Sequence, residues 1–195
     1  MQSALQTRQN VIKAAADLAS VEGLDAVTIG RLASLVGMSK SGVIGQFRNK
    51  ETLQLETIDA VFDGFRVRVW EPVKRFPRGL PRLVEACRAW VEYAGDPGFP
   101  GGCLMTQVTY DYDARTGAVH DRLIGERNRW RETLRSDIRT AIDAGDLPES
   151  TDVETTVYVL ESLVAFITPA RLLHGDEDAP ARAISSMLRV LGVEK

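Results

Sequence analysis

The stretch from Thr28 to Phe47, T-I-G-R-L-A-S-L-V-G-M-S-K-S-G-V-I-G-Q-F, constrains this chain more than any other. Thr28 stands just before an apolar-periodic segment, where a hydroxyl caps the free N–H groups of a new helix. Ile29, Leu32, Ala33 and Val36 share one face of that helix, and Gly37 ends it because glycine takes positive φ without steric cost. Met38 is placed to plug the core beneath the turn, and Ser39 to cap the next helix. Ala33 is small where two steeply crossing helices must approach, while Val43 and Phe47 hold the second helix down. Ala33, Val36, Gly37, Met38 and Val43 thus meet five separate demands of a helix-turn-helix over 28–47. That motif lays its second helix into the major groove of DNA.

A net charge of −3 over 195 residues argues against a polyanionic partner, but its distribution does not. Residues 1–50 carry six basic groups (Arg8, Lys13, Arg31, Lys40, Arg48, Lys50) against three acidic ones (Asp17, Glu22, Asp25), and the remainder is acidic. A small phosphate-facing domain on an acidic body has this asymmetry. Two cysteines, Cys87 and Cys103, and two histidines, His120 and His174, supply neither a disulfide framework nor a metal cluster, so no metal and no cofactor are expected. Cys103 follows two glycines and could serve as a redox switch, yet no neighbour in sequence activates it. There is no run of about 18 apolar residues and no apolar secretory core at the N-terminus, so a cytoplasmic protein with no membrane partner is expected.

The rest reads as all-α, with about nine helices in total. A first helix is expected from about Ser3 to Val21, with Val11, Ile12, Ala15, Leu18 and Ala19 inward and Gly23 past its end. Asn49 opens a long helix to about Glu71, striped by Leu55, Ile58, Phe62, Phe65 and Val69 and stopped by Pro72. Leu83, Val84, Cys87, Trp90 and Val91 mark the next, and 95–102 is a glycine- and proline-rich loop. A short helix around Cys103 to Asp113 precedes a long one from about Ala118 to Ala144. The helix from about Asp152 to Leu173 has two apolar stripes, and Pro169 should kink it or mark its end. One stripe is Val153, Val157, Leu160, Val164 and Ile167; the other is Val159, Leu163, Phe166, Ala170 and Leu173. A helix apolar on two faces must bury both, which calls for a partner. Either stripe could meet the partner; the candidate homodimer interface is the first stripe with Ile184, Met187, Leu188 and Leu191 of the last helix. The expected division is a DNA-binding domain at 1–50 and a larger helical body at 51–195, which the resemblance given below makes a ligand-binding and dimerisation domain.

With these residues in view, the N-terminal part resembles the TetR family of bacterial transcriptional regulators. The matching residues are Val11-Ile12, Ala14-Ala15, Gly23, Val27-Thr28-Ile29, Leu32-Ala33, Val36-Gly37-Met38-Ser39-Lys40, Phe47 and Asn49-Lys50-Glu51-Thr52-Leu53. The remaining three quarters match in helix number and order only. The resemblance implies a homodimer built on the last two helices, a ligand cavity in the body, and repression controlled by a small-molecule effector. The reading helix departs from the family pattern. Ile44 replaces the usual aromatic, Gly45 and Gln46 follow it, and Gly42 stands where Thr or Ala is frequent. Gly42 and Gly45 each lower helix propensity by about 1 kcal/mol relative to Ala.

Ser39, Lys40 and Ser41, at a helix N-terminus, are placed to meet a phosphate or the groove edge. Gly42 and Ile44 lie on the same helix, Ile44 able to touch a thymine methyl, and Gln46 can pair bidentately with adenine. Thr28 and Lys50 would clamp flanking phosphates. A dimer carrying two such helices calls for a near-palindromic operator on double-stranded DNA. Candidate effector contacts are Phe62, Phe65, Trp90, Met105, Tyr110, Trp130 and Phe166, with Arg127 for an acidic ligand. Aromatics at helical spacing more often serve as plain core, and Arg127 more often as the partner of an acidic side chain such as Asp111 or Asp113. The competing functions are a ligand-independent or architectural DNA-binding protein, and a helical enzyme, for which no nucleophile–base set or phosphate loop is present.

Overall fold

The computed structural model describes residues 4–193, and among these every regular element is helical. The elements are α1 (Ala4–Glu22), a short turn at Leu24–Ala26, α2 (Ile29–Leu35), α3 (Lys40–Phe47), α4 (Lys50–Phe65), α5 (Glu71–Val73), α6 (Leu80–Gly95), α7 (Leu104–Tyr112), α8 (Ala118–Asp143), α9 (Val153–Ala165), α10 (Ile167–His174) and α11 (Ala179–Val190). Ser3, where the first helix was expected to begin, lies outside the described residues.

Two long helical stretches are interrupted, and proline is the reason in both. The chain does not stop before Pro72. It continues from α4 through a wider, π-type turn at Arg66–Trp70 into α5, which carries Pro72 in its first turn. A proline deep in an α-helix would strand and crowd the carbonyl four residues earlier, and the change of pairing falls just there. Likewise 152–173 is two helices, α9 and α10, broken around Phe166. Pro169 has no N–H for the Ala165 carbonyl, so the ladder fails one turn upstream of the ring.

The chain forms two compact units. One comprises residues up to Gly64 together with Gly98–Gly125, and the other comprises Phe65–Pro97 together with Glu126 onward. In the first unit the core is built by Val11, Ala15, Leu24, Leu32, Val43, Phe47 and Leu53, joined by Leu104 and Val108 of α7. The 98–125 segment is seated on α1 by a backbone contact. The Gly101 N–H donates to Ser20 Oγ at 3.0 Å, and the Ser20 hydroxyl in turn donates to the Asp17 carbonyl at 2.7 Å. A Cβ on Gly101 would lie 1.8 Å from the Ser20 carbonyl oxygen, so only glycine fits. Nearby, Arg115 pairs with Asp25 at 2.6 Å and the Tyr112 hydroxyl donates to the same carboxylate at 3.3 Å. The Arg115 hydrogen bond holds the Asp25 carboxyl below its ordinary range, whereas burial and then the Asp25 charge push the Tyr112 phenol up.

In the second unit Leu83, Cys87, Trp90, Leu134, Ile138, Leu160, Ile167, Met187 and Leu191 make the core. Among its described residues the one deeply buried charge is Asp137, which accepts two hydrogen bonds from Arg82, at 2.9 and 2.7 Å, and a third from the Gly79 N–H at 3.2 Å. Burial pushes the Cys87 thiol up to about 12, which leaves it inert as a nucleophile.

Val153–His174 is the one stretch among the described residues with the length and mean hydropathy, 1.4, of a membrane span. It is instead two helices, with Val157, Leu160, Val164 and Ile167 packed into the core. Glu161 within it is held by Arg127 at 3.1 Å and Arg131 at 3.2 Å. Its apolar content is that of a core helix with one face left over.

Candidate nucleic-acid interface

Three helices begin close together in sequence, and each start is capped by the side chain before it. Thr28, in extended backbone, accepts the Arg31 N–H at 3.3 Å. Ser39 accepts the Gly42 N–H at 3.1 Å and shares a 3.0 Å hydroxyl contact with Ser41. Asn49 accepts the Thr52 N–H at 2.8 Å. A capped N-terminus still leaves backbone donors and partial positive charge facing outward, which favours phosphate.

The turn between α2 and α3 follows from Gly37, at φ 68°. It lets the Met38 N–H return to the Ala33 carbonyl at 2.9 Å while the Val36 N–H reaches the Leu32 carbonyl at 2.9 Å. Ala33, Val43 and Phe47 are buried, so α3 is anchored by one face, while Val36 and Met38 are half-buried below the turn. Arg8 fastens the end of α3: it lies over the Phe47 ring at 4.5 Å, donates to the Gln46 carbonyl and pairs with Glu56 of α4. Sequence reading missed Arg8, because nothing local distinguishes it from a solvated charge on the first helix.

The outward surface consists of Lys40, Ser41, Ile44, Gly45 and Arg48, with Ile44 48% exposed. Lys40 lies along α2, where a Cβ on Gly30 would come within 3.2 Å of its Cε. Gly42 acts as packing space: a Cβ there would meet Ser39 Oγ at 3.2 Å and Met38 Cε at 3.3 Å. Both glycines are accommodated within a continuous α3. Gln46 is only half-exposed, and its amide oxygen is shut from solvent with no hydrogen-bond partner. Lys50 is exposed but donates to the Asp25 carbonyl at 3.1 Å, beside Gln54, which donates to the Leu24 carbonyl at 2.8 Å. These two side chains tie α4 to the Leu24–Ala26 turn.

The candidate effector contacts divide between the two units, Phe62, Met105 and Tyr110 in the first and Phe65, Trp90, Arg127, Trp130 and Phe166 in the second. Phe65, Trp90 and Trp130 meet edge-to-face, with centroids 5.1 Å (Phe65–Trp130) and 5.4 Å (Trp90–Trp130) apart, and Tyr93, which sequence reading missed, joins Phe65 at 5.4 Å. The Trp130 indole N–H is buried without a partner. Phe62 is half-buried, Met105 is buried beside Leu104 of α7, and Tyr110 is 62% exposed. Arg127 pairs with Glu161, a partner the sequence did not suggest.

The stripe assigned to a partner subunit is turned inward. Val157, Leu160, Val164, Ile167, Met187, Leu188 and Leu191 are buried within their own chain, and Val153 and Ile184 are half-buried. Most of this stripe is therefore covered by its own chain, and little of its surface is left for a second subunit. The open face carries Tyr158, Leu163 and Phe166, the last 59% exposed, along a groove of about 380 Å³ between α9, α10 and α11 that is also lined by Ala170, Arg182 and Ala183.

Comparison with known proteins agrees with this geometry. Residues 11–57 match the family described as bacterial regulatory proteins, tetR family. Residues 79–187 match the tetracyclin repressor-like C-terminal domain. The HTH-type transcriptional regulator SrpR of Pseudomonas putida is 24% identical over 175 residues, covering 89% of this chain and 79% of the relative. A TetR transcriptional regulator from Chloroflexus aurantiacus superposes with a TM-score of 0.84 at 21% identity, over 97% of this chain and 96% of the other. AibR, solved in complex with isovaleryl coenzyme A and operator DNA, superposes with a TM-score of 0.78 at 16% identity, over 93% and 97% of the two chains. At such identities the structural likeness speaks for the fold, and the two family matches, one of them spanning more than half of the chain, speak for the lineage. The chain belongs to the TetR family of DNA-binding transcriptional regulators.

Proposed function

We propose that the protein is a homodimeric repressor that binds a near-palindromic operator and leaves it when a small-molecule effector binds the helical body. The observation that carries the DNA half is the exposed line Lys40, Ser41, Ile44 and Gly45 on a helix anchored by Val43 and Phe47 and flanked by capped helix starts. Lys40 has reach for a guanine edge or a backbone oxygen, Ile44 for a thymine methyl, and Thr28 and Lys50 for flanking phosphates. Gln46 reads adenine only by turning outward. Its buried, unpaired amide oxygen favours that motion, because an unsatisfied buried acceptor costs about 1–3 kcal/mol.

Lys40→Ala and Gln46→Ala are each expected to weaken operator binding by about tenfold or more, about 1–3 kcal/mol per base contact, with the melting temperature unchanged. Fluorescence anisotropy at fixed salt checks this; unchanged affinity in both variants sinks the assignment.

The open stripe along α9 and α10 supports a dimer through the α9–α11 groove. Two such faces meeting about a twofold axis bury Tyr158, Leu163 and Phe166 against their counterparts. Phe166→Glu places like charges near that axis. It is expected to raise the dimer dissociation constant by about 30-fold or more, the weight of an interface hot spot of roughly 2 kcal/mol. Sedimentation velocity reads the change, and a wild-type chain that is monomeric at micromolar concentration contradicts the dimer outright.

An effector that binds better to a body conformation with the wrong half-site spacing lowers DNA affinity, and DNA lowers effector affinity by the same factor. The helix α4 follows the reading helix directly in the chain and leads through Arg66–Trp70 into the second unit, so it is taken as the mechanical link. AibR, bound to both an acyl-coenzyme A and operator DNA, is a relative in fold in which one protein holds both partners.

A further inference from the structure

Arg48 breaks a rule the rest of the chain keeps. Nine glycines adopt positive φ, and among the described residues Arg48 is the one other residue that does, at φ 62° and ψ −58°. Its N–H still closes the last turn of α3 on the Ile44 carbonyl at 2.8 Å. The following N–H, of Asn49, then folds back to the Phe47 carbonyl at 2.6 Å. This is a γ-turn of the positive-φ kind, which is rare and strained for a residue with a side chain. Glycine would relax it, so the backbone does not call for arginine.

The side chain explains the choice. Arg48 is exposed, and its guanidinium makes no hydrogen bond or ion pair with a described residue. Other basic groups of the same region are engaged: Arg8 with Glu56, Lys13 with Asp17, Arg31 with Glu22, Lys50 with the Asp25 carbonyl. Because its N–H completes the helix, the Arg48 Cα prolongs the outward line of Ser41, Ile44 and Gly45, and it sits beside the capped start of α4.

We infer that Arg48 is a phosphate-clamping residue that fixes the reading helix on double-stranded DNA, and that the strained turn is kept because it presents the guanidinium there. This rests on the DNA-binding reading above. The alternative is a cation that only complements the C-terminal dipole of α3.

The test uses the full-length protein and a double-stranded oligonucleotide that the wild type selects from a random pool. Anisotropy is measured between about 50 and 200 mM salt. Each lost phosphate contact lowers the slope of log affinity against log salt by about 0.9, so Arg48→Ala should lower it by about 2 per dimer. Its affinity loss should be equal across operator variants, and Arg48→Lys should restore the slope. Arg48→Gly should bind DNA as poorly as Arg48→Ala yet melt about 2–4 °C above it. If the wild type selects DNA and Arg48→Ala keeps both slope and affinity, the clamp is refuted while the DNA-binding reading stands. A wild type that selects no DNA overturns both.

Discussion

Gly101→Ala is expected to unseat the 98–125 segment from α1 and to destabilise the protein by about 3 kcal/mol or more. The added methyl would lie 1.8 Å from the Ser20 carbonyl oxygen and 2.8 Å from the Val21 nitrogen, and neither backbone atom can swing aside as a side-chain tip could. Relief requires the loop to lift. That breaks the buried bond from the Gly101 N–H to Ser20 Oγ and loosens the 2.7 Å bond from Gln107 to the Gly101 carbonyl. Overpacking of about 1–3 kcal/mol adds to an unsatisfied buried donor of about 1–3 kcal/mol. Gly125→Ala is the matched control: it lies inside α8 with nothing within 4 Å of a new Cβ, and should gain about 0.5–1 kcal/mol. Chemical denaturation of the three proteins separates the cases. A Gly101→Ala protein as stable as wild type would mean that the segment is not held there.

The second large effect concerns Asp137. Asp137→Ala removes the acceptor of two Arg82 bonds and of the Gly79 N–H, and leaves a guanidinium whose side chain is only 12% exposed without a counter-charge. Breaking a buried pair from one side costs about 3–5 kcal/mol, because the remaining charge stays desolvated. Replacing both members by apolar residues of similar volume, Arg82→Met with Asp137→Leu, should recover most of that loss. Urea unfolding checks the ordering. A single variant no less stable than the double one would show that the surviving charge reaches water.

How legible these features are depends on how far apart their parts lie in the sequence. The helix-turn-helix is written locally: Thr28, Ser39 and Asn49 cap the helices they precede, and Gly37 takes the positive φ that its place at a helix end demands. Patterns of this kind can be read one turn at a time. The two stripes of 152–173 could be counted but not ordered, since periodicity says that both faces are apolar and not which one its own chain covers. The seat of Gly101 on Ser20 spans 81 positions and turns on a missing Cβ, which leaves no periodic trace. The Arg82–Asp137 pair spans 55 positions, and each residue alone looks like ordinary surface charge. Arg48 is a different case. Its residue type is visible, but its significance appears only with the φ of 62° that an arginine there must adopt.

One measurement bears most directly on the central claim, that this chain reads DNA as a symmetric pair of α3 helices. The purified full-length protein is used to select from a pool of random double-stranded oligonucleotides, and the enriched sequences are read. The account predicts an inverted repeat with half-site centres separated by one helical turn, about 34 Å, or a multiple of it, and loss of enrichment with Lys40→Ala. Enrichment of a single asymmetric site, or no enrichment at all, would contradict it.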